Sequence, residues 1–305
     1  MVLNGEHVMP MTTYVLMQFY VSVQEIVQPQ ECGRRWKSNT VPERYQNSKK
    51  EAQPNSWPWH VGVYSSALGP FPYCGGTLIA STWVLTAAHC IVIALQCSNA
   101  PYGQLFSIHD LTGEHLAVTV ADHKHTTRQR PAYNVRVKGV IIHPSYPKHA
   151  SIAGFDIALL QLNRRVKRSS VTEYACLPAR GLNLTAGHIC KSAGWGLIPN
   201  PPNEPHPDYP ETLMEVGIQI ASTPRCKSNI RGFNEHETLC TDEAQGALCD
   251  GDSGGGLHCL PPNESKWVVY GVYSTGTDKC TGGFDEYSLT ATKVNWINAV
   301  MTANP

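Results

Sequence analysis

The stretch Gly251-Asp252-Ser253-Gly254-Gly255 constrains this chain more than any other, because a serine between glycines and directly after an aspartate suits a nucleophile on a tight, backbone-exposing turn. Upstream lie Thr86-Ala87-Ala88-His89-Cys90 and Phe155-Asp156-Ile157-Ala158-Leu159-Leu160. A serine hydroxyl is a weak nucleophile at neutral pH. It needs an imidazole to take its proton and a buried carboxylate to fix the imidazole's tautomer. Ser253, His89 and Asp156 are the candidates for those roles. Taken singly, the three segments read as a surface turn, a buried helix start and the end of a loop entering a strand; their order and company set them apart.

The order His, Asp, Ser separates folds. Subtilisins carry such a triad as Asp, His, Ser, and α/β-hydrolases as Ser, Asp, His. Further matching segments are Trp57-Pro58-Trp59, Cys74-Gly75-Gly76-Thr77-Leu78-Ile79, Ile142-His143-Pro144-Ser145-Tyr146, Gly194-Trp195-Gly196 and Trp296-Ile297. From about Trp57 to Ile297 the chain resembles the chymotrypsin-like (trypsin family) serine endopeptidases. The resemblance implies an all-β fold of two six-stranded antiparallel Greek-key barrels that divide near Leu182, with a short C-terminal helix. The active site would lie in the cleft between them, His89 and Asp156 coming from the first barrel and Ser253 from the second. The residues themselves point the same way. Short runs at 83–85, 140–142, 158–160 and 268–272 are rich in Val, Ile, Leu and Tyr and separated by turn formers, which favours a barrel over a βαβ architecture. In 290–301, Val294, Ile297 and Val300 are spaced to bury one helix face.

A length of 305 residues with 42% hydrophobic content accommodates one catalytic domain, expected over 45–305, preceded by an N-terminal extension or pro-segment over 1–44. Lys+Arg and Asp+Glu both number 24, so nothing points to nucleic acid or an anionic membrane surface as a partner. No uninterrupted run of about 18 apolar residues predicts a membrane span. Residues 8–23 read poorly as a signal peptide, being broken by Pro10, Thr12, Thr13 and Gln18 and lacking a basic n-region. The proline-rich stretch 201–210 predicts an exposed, extended loop of the kind that meets macromolecular substrates in this family.

Eleven cysteines suggest an oxidising compartment, hence secretion. By resemblance, Cys74 pairs with Cys90, Cys226 with Cys240, Cys249 with Cys280 and Cys190 with Cys259. Cys32 with Cys176 would tether the pro-segment. Cys97 is left over, as a buried thiol or a bond to a partner chain. Asn183-Leu184-Thr185 and Asn263-Glu264-Ser265 are glycosylation sequons, meaningful if the chain is secreted. Six histidines between His109 and His149, among them His123 and His125, match no zinc signature, and Ala121-Asp122-His123-Lys124-His125 does not resemble the family's calcium loop, so no metal or other cofactor is expected.

The resemblance also assigns roles around the triad. The backbone N–H groups of Gly251 and Ser253 would form the oxyanion hole, and Ser274 would bond the buried aspartate. Ser274 and Gly276 would offer main-chain groups to an extended substrate, with Thr275 standing where the family has tryptophan. Ala247, followed by Leu248, occupies the pocket-base position that is aspartate in trypsin-like members, which favours an apolar P1 residue. If Tyr287 is the family's tyrosine before the C-terminal helix, Asp285 falls at the back wall of that pocket and favours a basic P1 residue. In a slid register Ser288 would face the pocket instead. Asp250 would add negative charge at the rim.

Activation in this family frees an apolar N-terminus whose ammonium pairs with the aspartate before the serine, here Asp252. Cleavage after Arg44 would release Tyr45-Gln46-Asn47-Ser48, a polar start that is costly to bury. Two readings follow. The first is a secreted serine endopeptidase made as a zymogen, with protein substrates, protease inhibitors and an activating protease as partners. The second is a catalytically silent homologue that acts as a binding partner or cofactor.

Overall fold

The computed structural model of the chain describes residues 31–35, 49–96, 99–127, 129–146, 153–198, 209–277, 280 and 282–305. Cys97, Arg44, residues 45–48 and most of the proline-rich stretch lie outside them.

Short β-branched and aromatic runs separated by turns give thirteen strands among the described residues. The two-residue β1 (Lys50–Glu51) leads into β2 (His60–Ser65), β3 (Cys74–Ala80) and β4 (Trp83–Thr86). After helices α1 (Ala88–Ala94) and α2 (Ile108–Thr112) come β5 (Leu116–Val120), β6 (Tyr133–Ile142) and β7 (Ala158–Leu162). Strands β2 to β7 close into an antiparallel barrel in the order β2-β3-β4-β7-β6-β5. The second half contains β8 (Ile189–Gly194), β9 (Met214–Gln219), helix α3 (Thr223–Asn229), β10 (Thr238–Asp242), β11 (Gly256–Cys259), β12 (Val268–Thr275), β13 (Phe284–Leu289) and helix α4 (Val294–Ala303). Its sheet runs β1-β9-β8-β11-β12-β13-β10. A lone bridge between Ile220 and Thr241 draws the β9 end of this sheet toward β10, curling it into a half-barrel of six long strands. The expected pair of barrels is therefore present, with one addition: β1 pairs with β9 and extends the edge of the second sheet.

Each half has its own core. Val61, Leu78, Leu85, Val118 and Leu160 fill the first barrel, and Ile218, Leu257, Tyr270 and Tyr287 fill the second. Each such side chain contributes roughly 1.5–3 kcal/mol on burial. The C-terminal helix starts later than its apolar spacing predicts. Thr290–Thr292 is a 3₁₀ turn, and α4 begins at Val294. Val294 and Ile297 pack into the first barrel's core, and Gln161 Nε2 donates to Asn304 O at 3.0 Å. The second half is thereby latched onto the first, which fixes the cleft between them.

Disulfides join Cys32–Cys176, Cys74–Cys90, Cys190–Cys259, Cys226–Cys240 and Cys249–Cys280. Around Cys32 the N-terminal segment is held by more than its disulfide. Gly33 N donates to Tyr174 O at 2.7 Å, Trp267 N donates to Gly33 O at 2.9 Å, and the Arg35 guanidinium lies 4.0 Å above the Trp57 ring. No helix among the described residues is long and apolar enough to cross a membrane.

Candidate active site

His89 lies at the start of α1, where the chain leaves β4. The Cys74–Cys90 bridge ties this helix start to β3, and Tyr73 Oη donates to Cys90 O at 3.0 Å. Asp156 lies just before β7 and is 1% exposed. Its carboxylate is fully engaged: Oδ1 accepts from His89 N at 2.8 Å, and Oδ2 accepts from Ser274 Oγ at 2.6 Å and faces His89 Nδ1 at 2.6 Å. A carboxylate can only accept, so Nδ1 carries the imidazole proton and Nε2 is left with a lone pair. Ser274 comes from β12 of the second half, so this acceptor site is assembled from both barrels.

Ser253 sits half-buried on the turn between Cys249 and β11. The turn is built from short-range bonds: Asp252 N to Cys249 O at 2.9 Å and Gly255 N to Asp252 O at 2.9 Å. It is pressed against the first barrel by Gly75 N donating to Ser253 O at 2.8 Å. Gly251 has φ +93°, where a side chain is strained, and a Cβ there would also crowd Gly196 Cα at 3.1 Å. Among the described residues, the amides of Gly251 and Ser253 donate to no backbone acceptor. Ser253 Oγ makes no hydrogen bond to His89 among the described residues; in an empty site such a nucleophile–base bond is often open and tightens around substrate.

Asp252 points away from Ser253 into the protein. Oδ1 accepts from Gly196 N at 2.9 Å, Oδ2 accepts from Cys249 N at 3.0 Å, and Oδ2 also pairs with Lys49 Nζ. The same ammonium donates to the carbonyls of Gly196 and Leu197 at 2.9 Å each. The lysine and aspartate side chains are 2% and 1% exposed. Lys49 is a participant that the sequence did not single out: it stands beside Lys50 in a polar run, and nothing local distinguishes the buried lysine from its exposed neighbour.

On the other side of Cys249, Ala247 and Leu248 are buried, and Leu248 N donates to Asp285 Oδ2 at 3.0 Å. Asp285 is fully buried, and its Oδ1 has no hydrogen-bond partner within normal distance among the described residues. Loss of solvation holds the carboxyl well above the usual carboxylate range, reinforced by the nearby Glu243 and Asp252 charges. A side chain on Gly276 would collide with Asp285 Oδ1. Glu243, also missed in the sequence, is buried and accepts from Thr277 N at 2.8 Å and Gly283 N at 2.9 Å, which ties those two residues together beside Asp285. Ser288 faces elsewhere, donating to Gly154 O at 2.9 Å. Asp250 is exposed, and its carbonyl accepts from Leu197 N at 2.8 Å. Next to Gly251, a mostly apolar hollow of about 480 Å³ is lined by Phe71, Pro72, Tyr73, His125, Trp195 and Tyr209.

Cys74, His89 and Cys90 lie close together, but both cysteines are in a disulfide and offer no thiolate to a metal. His109 and His123 are engaged with Gly113 O and Glu51 respectively. Asn183 and Asn263 are exposed.

Residues 46–299 match the trypsin family model. The chain is 31% identical to human serine protease 56 over 291 residues, covering 92% of this chain and 43% of that protein, so it spans less than half of that relative's length. It is 29% identical to human chymotrypsin-like elastase family member 1 over 261 residues, covering 83% of this chain and 91% of that protein.

Proposed function

The chain belongs to the trypsin family of serine endopeptidases, and we propose that it hydrolyses peptide bonds through Ser253, His89 and Asp156. His89 Nε2 takes the Ser253 proton as Oγ attacks the scissile carbonyl. The same nitrogen then returns a proton to the leaving amine, giving an acyl-enzyme that water cleaves by the reverse sequence. Asp156 holds Nδ1–H and stabilises the imidazolium. The free amides of Gly251 and Ser253 receive the oxyanion, each worth about 3 kcal/mol of transition-state stabilisation. The observation that carries this reading is the Asp156 carboxylate, with His89 Nδ1 at 2.6 Å and Ser274 Oγ at 2.6 Å, which fixes the tautomer that leaves Nε2 able to act as base.

We read specificity from Asp285, the carboxyl that the family resemblance sets at the pocket wall. Ala247 gives the pocket base no charge, yet Asp285 is buried with one oxygen that accepts no hydrogen bond within normal distance among the described residues, and a P1 lysine or arginine would supply charged donors. We therefore read the preference as basic at P1, with apolar residues favoured on the leaving-group side, where Phe71, Tyr73 and Trp195 line the hollow. Five disulfides and two exposed sequons, Asn183 and Asn263, support a secreted glycoprotein with extracellular protein substrates and inhibitors.

The test is labelling of the purified full chain with a fluorophosphonate, with Ser253→Ala as control, followed by hydrolysis of substrates that differ only at P1. Labelling confined to the parent, with arginine or lysine preferred over leucine, is the expected result. A chain that folds and never labels, before or after cleavage at Arg44, would make it a binding homologue.

A further inference from the structure

Lys49 lies outside the chemistry described above, yet its side chain ends in the turn that carries Ser253. Its backbone is fixed by the second sheet. The next residue, Lys50, pairs with Glu215, Glu51 pairs with Met214, and Ala52 N donates to Leu213 O at 2.9 Å. An ammonium has three protons, and this one finds three acceptors: Gly196 O and Leu197 O at 2.9 Å each, and Asp252 Oδ2. Asp252 in turn accepts from Gly196 N and Cys249 N. The cluster joins three stretches of chain, 49–52, 194–197 and 249–253, and the last holds both free amides. Almost no solvent reaches either charge, so a carboxylate turned into this site without the cation would be an uncompensated buried charge. The turn and the ammonium stand together.

We propose that Lys49 is a positioning residue for hydrolysis: in the uncleaved chain its ε-ammonium supplies the cation that holds Asp252, and with it the Gly251 and Ser253 amides, in the arrangement that receives an oxyanion. This rests on the serine endopeptidase reading. It gives that site its regulation. A new amino terminus near Tyr45 is not required, and one released there would meet three acceptors already taken. Cleavage after Arg44 then changes activity little, and the Cys32–Cys176 bridge keeps the fragment attached in either case.

The experiment uses the full chain carrying Arg44→Gln, confirmed as a single chain on reducing gels, with the parent cleaved at Arg44 alongside. Peptide hydrolysis and fluorophosphonate labelling are read for both, and for Lys49→Met, Lys49→Arg and Lys49→Ala in the uncleaved background. The uncleaved chain is expected to match the cleaved one within about threefold, and Lys49→Met to lose about 10²–10³ in kcat with little change in KM, the loss typical of a disabled oxyanion site. Lys49→Arg should recover much of that loss, and propylammonium added to Lys49→Ala should restore activity in a saturable way, which repair of a merely structural defect would not do. An uncleaved chain that is silent while the cleaved one labels overturns the role of Lys49 and leaves the endopeptidase reading standing; this comparison involves no Lys49 variant and so no folding defect. Unchanged kcat in folded Lys49→Met overturns it as well. Absence of labelling in both parental forms overturns the endopeptidase reading and this inference with it.

Discussion

Two buried carboxylates flank the Cys249 turn and meet opposite fates. Asp252, on the side of Ser253, is surrounded by donors: two backbone amides and the Lys49 ammonium. Asp285, behind Ala247 and Leu248, accepts one amide from Leu248, and its other oxygen has no hydrogen-bond partner within normal distance among the described residues. Both are out of water, so solvation separates them little. What differs is whether the protein itself provides the cation. A charge that the chain neutralises internally belongs to the architecture. One left without a counter-ion is suited, on the proposed reading, to a group that arrives with the substrate; burial, reinforced by the Glu243 and Asp252 charges, holds its pKa well above the usual carboxylate range.

The sharpest way to break this comparison is to remove the internal partner. Asp252→Asn should lower kcat about 10²–10³-fold on every substrate, whatever its P1 residue. Combining it with Lys49→Met should cost no more than the worse single change, because the two groups act as a unit; additive losses in a double-mutant cycle would separate them. A smaller and selective effect is expected at the other carboxylate. Asp285→Asn should lower kcat/KM for arginine and lysine P1 substrates by about 10–100-fold, the value of a charged hydrogen-bonded contact, while leucine substrates change little. Equal losses on both kinds of substrate would assign Asp285 to the framework.

The same carboxyl gives a pH signature. Only its ionised form attracts a cation, and burial holds its pKa above the ordinary range. The ratio of basic-P1 to apolar-P1 kcat/KM should therefore rise with pH through that raised value, and the rise should vanish in Asp285→Asn. The smallest effect is on stability. Between its unfolded pKa of about 4 and its raised folded value, the folded chain holds one proton more than the unfolded one, so this contribution is full below about pH 4 and is lost as pH rises. Asp285→Asn should flatten that decline in thermal scans. The acid limb should persist in the variant. Buried His60, held neutral with its pKa pushed down to about 4 by desolvation, gives stability that is present above about pH 6.5 and lost as pH falls toward 4.

Much of this was legible in the residues because the chemistry constrains their neighbours in sequence. The glycine before Asp252-Ser253 is required by a left-handed turn packed on Gly196. The strand runs and Val294–Ile297 declare themselves by period and composition. Lys49 could not be read in the same way. Its importance depends on a fold that brings residue 49 against residues 196 and 252, and a lysine in Ser48-Lys49-Lys50-Glu51 looks like any solvated charge. Pocket specificity was ambiguous for a related reason. Ala247 argues for an apolar pocket and Asp285 for a basic one, and only the three-dimensional register puts Asp285 Oδ2 3.0 Å from Leu248 N while Ser288 turns to Gly154. The helix start shifted because Lys293 is drawn inward to Glu237, which leaves Thr290–Thr292 as a separate 3₁₀ turn.

The most direct test is burst titration of the uncleaved Arg44→Gln chain with a guanidinobenzoate ester, whose cationic acyl group probes the proposed role of Asp285 and whose acylation probes the oxyanion site proposed to be held by Lys49. A burst stoichiometric with protein, abolished by Ser253→Ala, is the predicted result. No burst from the single chain, with a full burst appearing only after cleavage at Arg44, would contradict it.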